Sequence, residues 1–412
     1  MTAVLRGLTI VALGAALAAC TEQFAATVPQ WPNGGDLSGT RPLTAGEKQS
    51  LEGVYVVTQA NGQFGDTLVL RWNGEYLGVY AGVHTAYMIM QAGATYDSTA
   101  GDSIILVQGY WGWMSAATTG LAQMTTPLHP GGAVAFTGAY GSGDAVPANG
   151  MKFQFLRPIY QPPRPFYLIS HHGSGGAPEL LPASENSVEI AKIIERYGAN
   201  AIEIDTRPSL DSIPVLFHDN AMTPRLTEKG SLEGPVENYT YAQLYKYVRL
   251  VHGEHIPTLA AFLDTVIVAT NIEFVYVDMK PTTIDFLPII VQVQQAALMK
   301  ASLLHRNVHI YLALTSDDIL NKFITLPHYQ DIPTICELSI DQLEQAGSLV
   351  WSPRFTQQIP TSDIDQLHGE GKLVITWTVD VNDYLQTFIE QGNLDGVLTD
   401  YLPLASYYYY KQ

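Results

Sequence analysis

Residues 198–207 read "GANAIEIDTR". A helix-like stretch, "ENSVEIAKIIERYG" (185–198), runs into it, and a short strand-like run then ends in polar residues. Helix pattern followed by strand pattern, with acids at the end of the strand, is one unit of an α/β fold. Side chains two apart on a strand share a face, so Glu203 and Asp205 point the same way.

The same unit recurs on both sides. Strand candidates are "FYLIS" (166–170), "AIEIDTR" (201–207), "FVYVDMK" (274–280), "VHIYLAL" (308–314), "PTICELS" (333–339), "LVWSPR" (349–354), "LVITWTVD" (373–380) and "DGVLTDY" (395–401). Helical patterns such as "PIIVQVQQAALMKASLL" (288–304) and "VNDYLQTFIEQG" (381–392) lie between them. Eight strands at this spacing predict a (β/α)8 TIM barrel. A doubly wound open sheet competes, but no Gly-rich dinucleotide fingerprint follows the first strand.

Barrels of this kind carry their chemistry at the C-terminal ends of the strands. Strand one ends at His171 and His172 in "YLISHHGSGG" (167–176), strand two at Glu203 and Asp205, and strand three at Asp278 and Lys280. Strand seven carries Trp377 and strand eight ends at Asp400. Three carboxylates from neighbouring strands make a hard oxygen site suited to a divalent metal, Mg2+ or Ca2+. "VLFHDN" (215–220) adds His218. Paired across such a site with His171, it is a candidate acid or base, because imidazole titrates near ~6.5.

Upstream of "QPPRP" (161–165) the texture differs. "GVYVVT", "TLVLRWNGEYLGVYAG", "AYMIMQ", "SIILVQGYWGWM", "AVAFTGAYG" and "KFQFLRP" are short β-branched or aromatic runs, and Asn73-Gly74 is a hairpin signal. They predict an all-β barrel or sandwich domain of about six to eight strands over residues 46–160. Its aromatics, Trp72, Tyr76, Tyr80, Tyr110, Trp111 and Trp113, read as core and hairpin packing ahead of a ligand groove.

The N-terminus, "MTAVLRGLTIVALGAALAAC", has one Arg, an apolar stretch and small residues ending at Cys20. The stretch is too short to span a bilayer and fits a secretory signal peptide over 1–19. "LAAC" (17–20) is similar to a bacterial lipobox, which makes Cys20 the lipidation site and residues 20–45 a tether. The expectation is an exported protein, lipid-anchored on the periplasmic or cell-surface face of a bacterial membrane. The only other cysteine is Cys336, so a lipidated Cys20 leaves no disulfide framework. A formal charge of −18 argues against a nucleic-acid partner, which needs clustered Lys and Arg.

Taken together, "SHHG", "SENS", "GANAIEIDTR", "PVLFHDN", "IPTL", "VDMK", "WTVD" and "LDGVLTDYLP" resemble, in order, the glycerophosphodiester phosphodiesterase family. The likeness runs from about Phe166 to Leu404, nearly the whole of the barrel predicted over 164–412. It implies that His171 and His218 are the acid/base histidines and that Glu203, Asp205 and Asp278 hold the metal. Lys280 would help hold the phosphate, Trp377 would wall the substrate pocket, and Glu185 and Asn186 would pack beside the site. Two departures stand out. The arginine of the family's "HRG" is here His172, so the phosphate contact falls to an imidazole or to another cation such as Arg207. The third metal carboxylate is the shorter Asp278, an Asp-x-Lys arrangement shared with sphingomyelinase D-type phospholipases.

The implied reaction is metal-dependent hydrolysis of a glycerophosphodiester to an alcohol and glycerol 3-phosphate. Two alternatives remain open from the sequence. One keeps the metal site and takes lysophospholipid or a wall polymer as substrate; the other is a non-catalytic surface-binding lipoprotein.

Overall fold

Short strands separated by turn residues bury their apolar faces most economically by closing on themselves. A computed structural model describes residues 28–173 and 181–412, apart from positions 100, 117, 130, 162 and 231. The signal peptide expected over 1–19 and the expected lipidation site Cys20 lie outside the described residues. The first eight strands are β1 (Gly53–Gln59), β2 (Thr67–Asn73), β3 (Tyr76–Ala81), β4 (Ala86–Asp97), β5 (Asp102–Trp113), β6 (Thr118–Pro127), β7 (Ala135–Tyr140) and β8 (Asn149–Arg157). Each pairs antiparallel with the next, and β8 pairs back onto β1. The result is a closed barrel rather than a sandwich, and closure removes its sheet edges. Tyr55, Phe64, Met88, Trp111, Met124, Phe136 and Phe153 pack its interior.

Residues 28–45, part of the expected tether, are laid along this barrel. The Trp31 indole donates to the carbonyl of Gly109, Arg41 and Ala94 exchange two backbone hydrogen bonds of 2.9 Å, and Leu43 is buried. The next helix, Ala45–Leu51, starts with a Thr44/Glu47 capping box.

The second half contains β9 (Tyr167–Ser170), β10 (Ala201–Pro208), β11 (Pro214–Leu216), β12 (Phe274–Met279), β13 (His309–Leu314), β14 (Thr334–Cys336), β15 (Val350–Trp351), β16 (Leu373–Thr376) and β17 (Gly396–Thr399). All except β11 run parallel, and β17 pairs with β9 to close the ring β9-β10-β12-β13-β14-β15-β16-β17. The eight ring strands are those expected from the sequence, and the fold is a (β/α)8 barrel preceded by an all-β barrel. Alternation divides each strand. Leu168, Ile202, Ile204, Val275, Val277, Ile310 and Leu312 face outward toward the helices. Tyr167, Ile169, Ala201, Phe274, Tyr276, Tyr311, Ile335, Ile375 and Leu398 fill the interior. One of the outer helices, Leu287–Leu303, buries Leu287, Ile290, Val291 and Gln294 along one stripe. The Gln294 side-chain NH2 donates to the carbonyls of Ile310 and Pro333.

Two local features shape the region around the opening sequence. Gly198 ends the preceding turn at φ 106°, and a Cβ there would meet the Ser406 hydroxyl at 1.9 Å, so only glycine fits. β10 then continues past its parallel partners into an antiparallel hairpin with β11. That hairpin brings the chain back so that the Phe217 amide donates to the Asp205 carbonyl.

The C-terminal helix Leu402–Lys411 joins the two barrels. Four consecutive residues span a full helical turn, and Tyr407 to Tyr410 are all buried, so the helix is enclosed on every side. Tyr407 and Tyr410, three apart, face the antiparallel barrel: Tyr407 bonds the Thr67 hydroxyl at 2.8 Å, and the Arg71 guanidinium lies 4.6 Å from the Tyr410 ring. Tyr408 and Tyr409 face the parallel barrel, through Asn382 and a stacked Phe166 at 4.6 Å. Beside them Tyr110 and Tyr197 hydroxyls meet at 2.7 Å across the same seam.

Replacing Tyr409 by Ala, which empties a buried aromatic position, should cost about 3 kcal/mol of stability. Tyr96→Ala, at a site 66% exposed, should stay within about 0.5 kcal/mol. Denaturant unfolding of the two variants beside the parent checks the contrast; equal effects would remove the seam from the account of stability.

Candidate active site

The interior rows of the parallel barrel do not stop where the strands end. Stepping by two, Tyr167 and Ile169 lead to His171, Ala201 leads to Glu203 and Asp205, and Phe274 and Tyr276 lead to Asp278 and Lys280. Ile335 leads to Glu337, Ile375 to Trp377, and Leu398 to Asp400. Each apolar row thus turns polar at the C-terminal mouth. There a cavity of about 290 Å³ is lined by His171, His172, Glu203, His218, Tyr276, Asp278, Lys280, Glu337 and Trp377, among others.

Three carboxylates come together as the strand spacing predicts. Parallel register places Asp205 beside Asp278 and Glu203 beside Tyr276. Oxygens of Glu203, Asp205 and Asp278 lie within 4.8 Å of one another. Burial raises the Glu203 pKa well above the usual carboxylate range, and the charges of Asp205 and Asp278 add to the effect. Burial also raises Asp278. Asp205 behaves oppositely: burial alone would raise it, but the His172 ring and the Lys280 ammonium more than offset that and keep it ionised. Lys280 Nζ lies 2.6 Å from both Asp205 Oδ1 and Asp278 Oδ2, and these carboxylates hold the lysine charged.

The backbone around the cluster is strained to serve it. His172 and Asn186 adopt left-handed conformations at φ 52° and 57°, uncommon for residues with a Cβ. The His172 amide donates to Glu203 Oε2 at 2.7 Å, and its ring Nδ1 meets Asp205 Oδ2 at 2.7 Å. Asn186 donates to the same Asp205 oxygen and accepts from the Asp205 amide. Burial lowers His172 to about 4, so it stays neutral above that pH.

Two histidines flank the cluster, each braced by an acid. His171 Nδ1 is 2.7 Å from Asp400, and His218 Nδ1 is 2.8 Å from Asp219. Burial would lower His171, but Asp400, with Asp205 and Asp380, reverses this and raises it. With Nδ1 committed to a carboxylate, Nε2 of each ring is the nitrogen left for proton transfer. The His172 ring lies between, its centroid 3.6 Å from His171 and 4.4 Å from His218.

His171, His172, Glu203, Asp205, His218, Asp278, Lys280 and Trp377, the eight residues expected from the sequence, all line the cavity or its acid cluster. Arg207 does not reach it. Its guanidinium holds the His218 carbonyl, Asn220 and Glu237, which makes it a positioning residue for His218 and not the missing phosphate cation. Strand alternation explains this, since Arg207 carries the row of Asp205 beyond the mouth and into the hairpin. Residues missed from sequence are the braces Asp219 and Arg225, whose guanidinium links Asp219 to Glu185, and Glu337. The last had a signal in "PTICELS": it is two residues beyond Ile335. Burial, with the Asp278 charge, pushes Glu337 up to about 8.

The donor set fits a divalent metal. Three carboxylates converge with too little positive charge around them, and Asp205 Oδ1 is fully buried without a well-directed hydrogen bond, only the Lys280 ammonium beside it. All-oxygen donors of this kind suit Mg2+ or Ca2+.

A family model described as "Glycerophosphoryl diester phosphodiesterase family" matches residues 171–404. Among solved structures, an Oleispira antarctica phosphodiesterase in complex with the product sn-glycerol-3-phosphate is 20% identical over 58% of this chain and 94% of that chain, with a TM-score of 0.45. A glycerophosphodiester phosphodiesterase from Parabacteroides distasonis is 22% identical over 58% of this chain and 94% of that one, TM-score 0.45. One from Agrobacterium tumefaciens is 16% identical over 58% and 97%, TM-score 0.45. No curated protein matches the sequence.

Calorimetric titration with Mg2+ and Ca2+ tests the metal site. Asn186→Ala removes the amide that orients Asp205 and should weaken binding by roughly 10- to 100-fold. Asp205→Asn should weaken it further. Unchanged affinity in both variants would place the ion elsewhere.

Proposed function

Because residues 171–404 make this chain a member of the glycerophosphoryl diester phosphodiesterase family, we propose that its barrel mouth hydrolyses glycerophosphodiesters to glycerol 3-phosphate and an alcohol. The observation that carries the reading is the pair of acid-braced histidines, His171–Asp400 and His218–Asp219, on either side of a metal-ready carboxylate cluster. Two imidazoles with free Nε2 atoms are what cleavage of a P–O bond needs. One takes a proton from the attacking hydroxyl or water, and the other gives one to the departing alcohol oxygen. Water then supplies OH to phosphorus and H to the alcohol, and the two histidines exchange protonation states.

Glu203, Asp205 and Asp278 would hold the divalent ion, which when bound would supply charge stabilisation for the phosphoryl oxygens. Lys280 places a permanent positive charge against the same cavity. His172 contributes differently from a guanidinium. It is neutral, it is committed to Asp205 through Nδ1, and its role is to orient that carboxylate and to offer a ring edge to the phosphate. Trp377 is fixed by its indole donating to the Ser352 carbonyl and forms a wall of the pocket.

The size and lining of the cavity favour a compact diester over a long acyl chain. Among the described residues that line it, Pro281, Trp377 and Leu398 stand beside a majority of polar and charged side chains. The intact braces favour catalysis over binding alone. We also read the chain as lipid-anchored through Cys20, which would place this mouth near a membrane surface.

Purified protein should release choline from glycerophosphocholine, lose that activity with a chelator and regain it with Mg2+ or Ca2+. His171→Ala and His218→Ala should each lower kcat by roughly 10²- to 10⁴-fold. Activity that survives both substitutions would rule out the histidine mechanism. In cells, Cys20→Ser should move the protein from the membrane to the soluble fraction, and retention at the membrane would rule out the lipid anchor.

A further inference from the structure

The three carboxylates are not the only set of donors at this mouth. Ligand atoms of His172, Asp205 and His218 lie within 4.8 Å of one another, and so do those of His171, His172 and Glu203. Both sets depend on the His172 ring, and neither includes Asp278. They differ in kind from the all-oxygen cluster, because imidazole nitrogen replaces most of the carboxylate oxygen. His172 is also the position at which this chain departs from the arginine of the family pattern. A guanidinium has no lone pair to give a metal, so the nitrogen sets exist only because of that departure.

The set of His172, Asp205 and His218 is the better supported. His218 Nδ1 is 2.8 Å from Asp219, which leaves Nε2 as the ligating atom, and a carboxylate behind the ring is the usual brace of a metal-bound imidazole. His218 is partly exposed and lines the cavity, so an ion can reach it from solvent. Its ring meets that of His172 edge-on, with centroids 4.4 Å apart. Asp205 divides its two oxygens: Oδ1 faces Lys280, and Oδ2 lies 2.7 Å from His172 Nδ1. The Arg225 guanidinium beside His218 is taken up by Asp219 and Glu185.

We propose that His172, His218 and Asp205 form a site for a transition ion of the Zn2+ class, overlapping the hard-ion site at Asp205. Two imidazoles and one carboxylate are a donor set that zinc takes and that Mg2+ and Ca2+ disfavour. An ion held on His218 Nε2 occupies the nitrogen that proton transfer requires, so Zn2+ blocks the hydrolysis that Mg2+ or Ca2+ supports. That inhibitory consequence rests on the phosphodiesterase reading; the site itself rests on the donors alone.

Calorimetric titration with Zn2+ and with Ca2+ compares the parent protein with His172→Asn and His218→Gln. Asparagine keeps an N–H for Asp205 and tolerates left-handed backbone, so His172→Asn removes the imidazole without releasing the carboxylate. Each substitution should weaken Zn2+ binding by roughly tenfold or more and Ca2+ binding by less than about threefold. Equal losses for the two ions, or unchanged Zn2+ affinity in both variants, would overturn the proposal. Co2+ in the parent gives a reading that needs no variant: nitrogen ligation at low coordination number should give strong visible absorption, and the faint spectrum of an octahedral all-oxygen complex would count against the site. In Mg2+, added Zn2+ should then suppress glycerophosphocholine hydrolysis, and activity that persists once calorimetry shows the site filled would overturn the inhibition. A parent that binds Zn2+ through His172 yet cleaves nothing in Mg2+ or Ca2+ would sink the phosphodiesterase reading and leave the metal site standing.

Discussion

Three carboxylates within 4.8 Å of one another in a barrel mouth repel each other and resent losing water. Much of the local architecture answers that single difficulty. Lys280 lies between two of the acids, and the His172 amide and ring cover Glu203 and Asp205. Asn186 closes both a donor and an acceptor onto Asp205, and both residues accept left-handed backbone to do so. Such strain persists only where the surroundings over-determine it. Here the surroundings are the closed parallel barrel, whose interior rows fix where each acid emerges. The mouth is therefore poorer in stability than an apolar one would be, and richer in binding potential for a cation.

Much of this was legible in the sequence because the two periods involved are short. Strand-like runs alternating with helical patterns identified the eight ring strands, their polar C-terminal ends pointed to His171, Glu203, Asp205, Asp278 and Trp377, and the two-residue strand period put Glu203 and Asp205 on one face. β6 was harder to see: "TTGLAQMTTP" is rich in Thr and Gly, and its burial comes from closing a barrel, which no local pattern records. The β10–β11 hairpin was also hidden, and with it the fate of Arg207. That residue looks like a mouth cation by spacing, yet the hairpin carries it beneath His218.

Long-range braces were the least legible part. Asp400 was visible as the end of a strand, but its bond to His171, 229 residues away, depends on ring closure between β17 and β9. Arg225 links Glu185 to Asp219 across loops with no repeating pattern. The four terminal tyrosines illustrate the same limit. Four equal neighbours in sequence carry no hint of which faces which barrel, and the assignment comes from helical geometry once both barrels are present.

That terminal helix has a consequence for how the molecule comes into being. A chain is synthesised from its N-terminus, so Leu402–Lys411 emerges after the strands of both barrels. The parallel ring needs β17 against β9, and the antiparallel barrel needs Tyr407 and Tyr410 against its flank. Neither half can finish burying its apolar surface before this helix is available. Until then nascent chains would wait with open seams, exposed to chaperones and proteases, and docking of this helix would act as a check on the two barrels made before it.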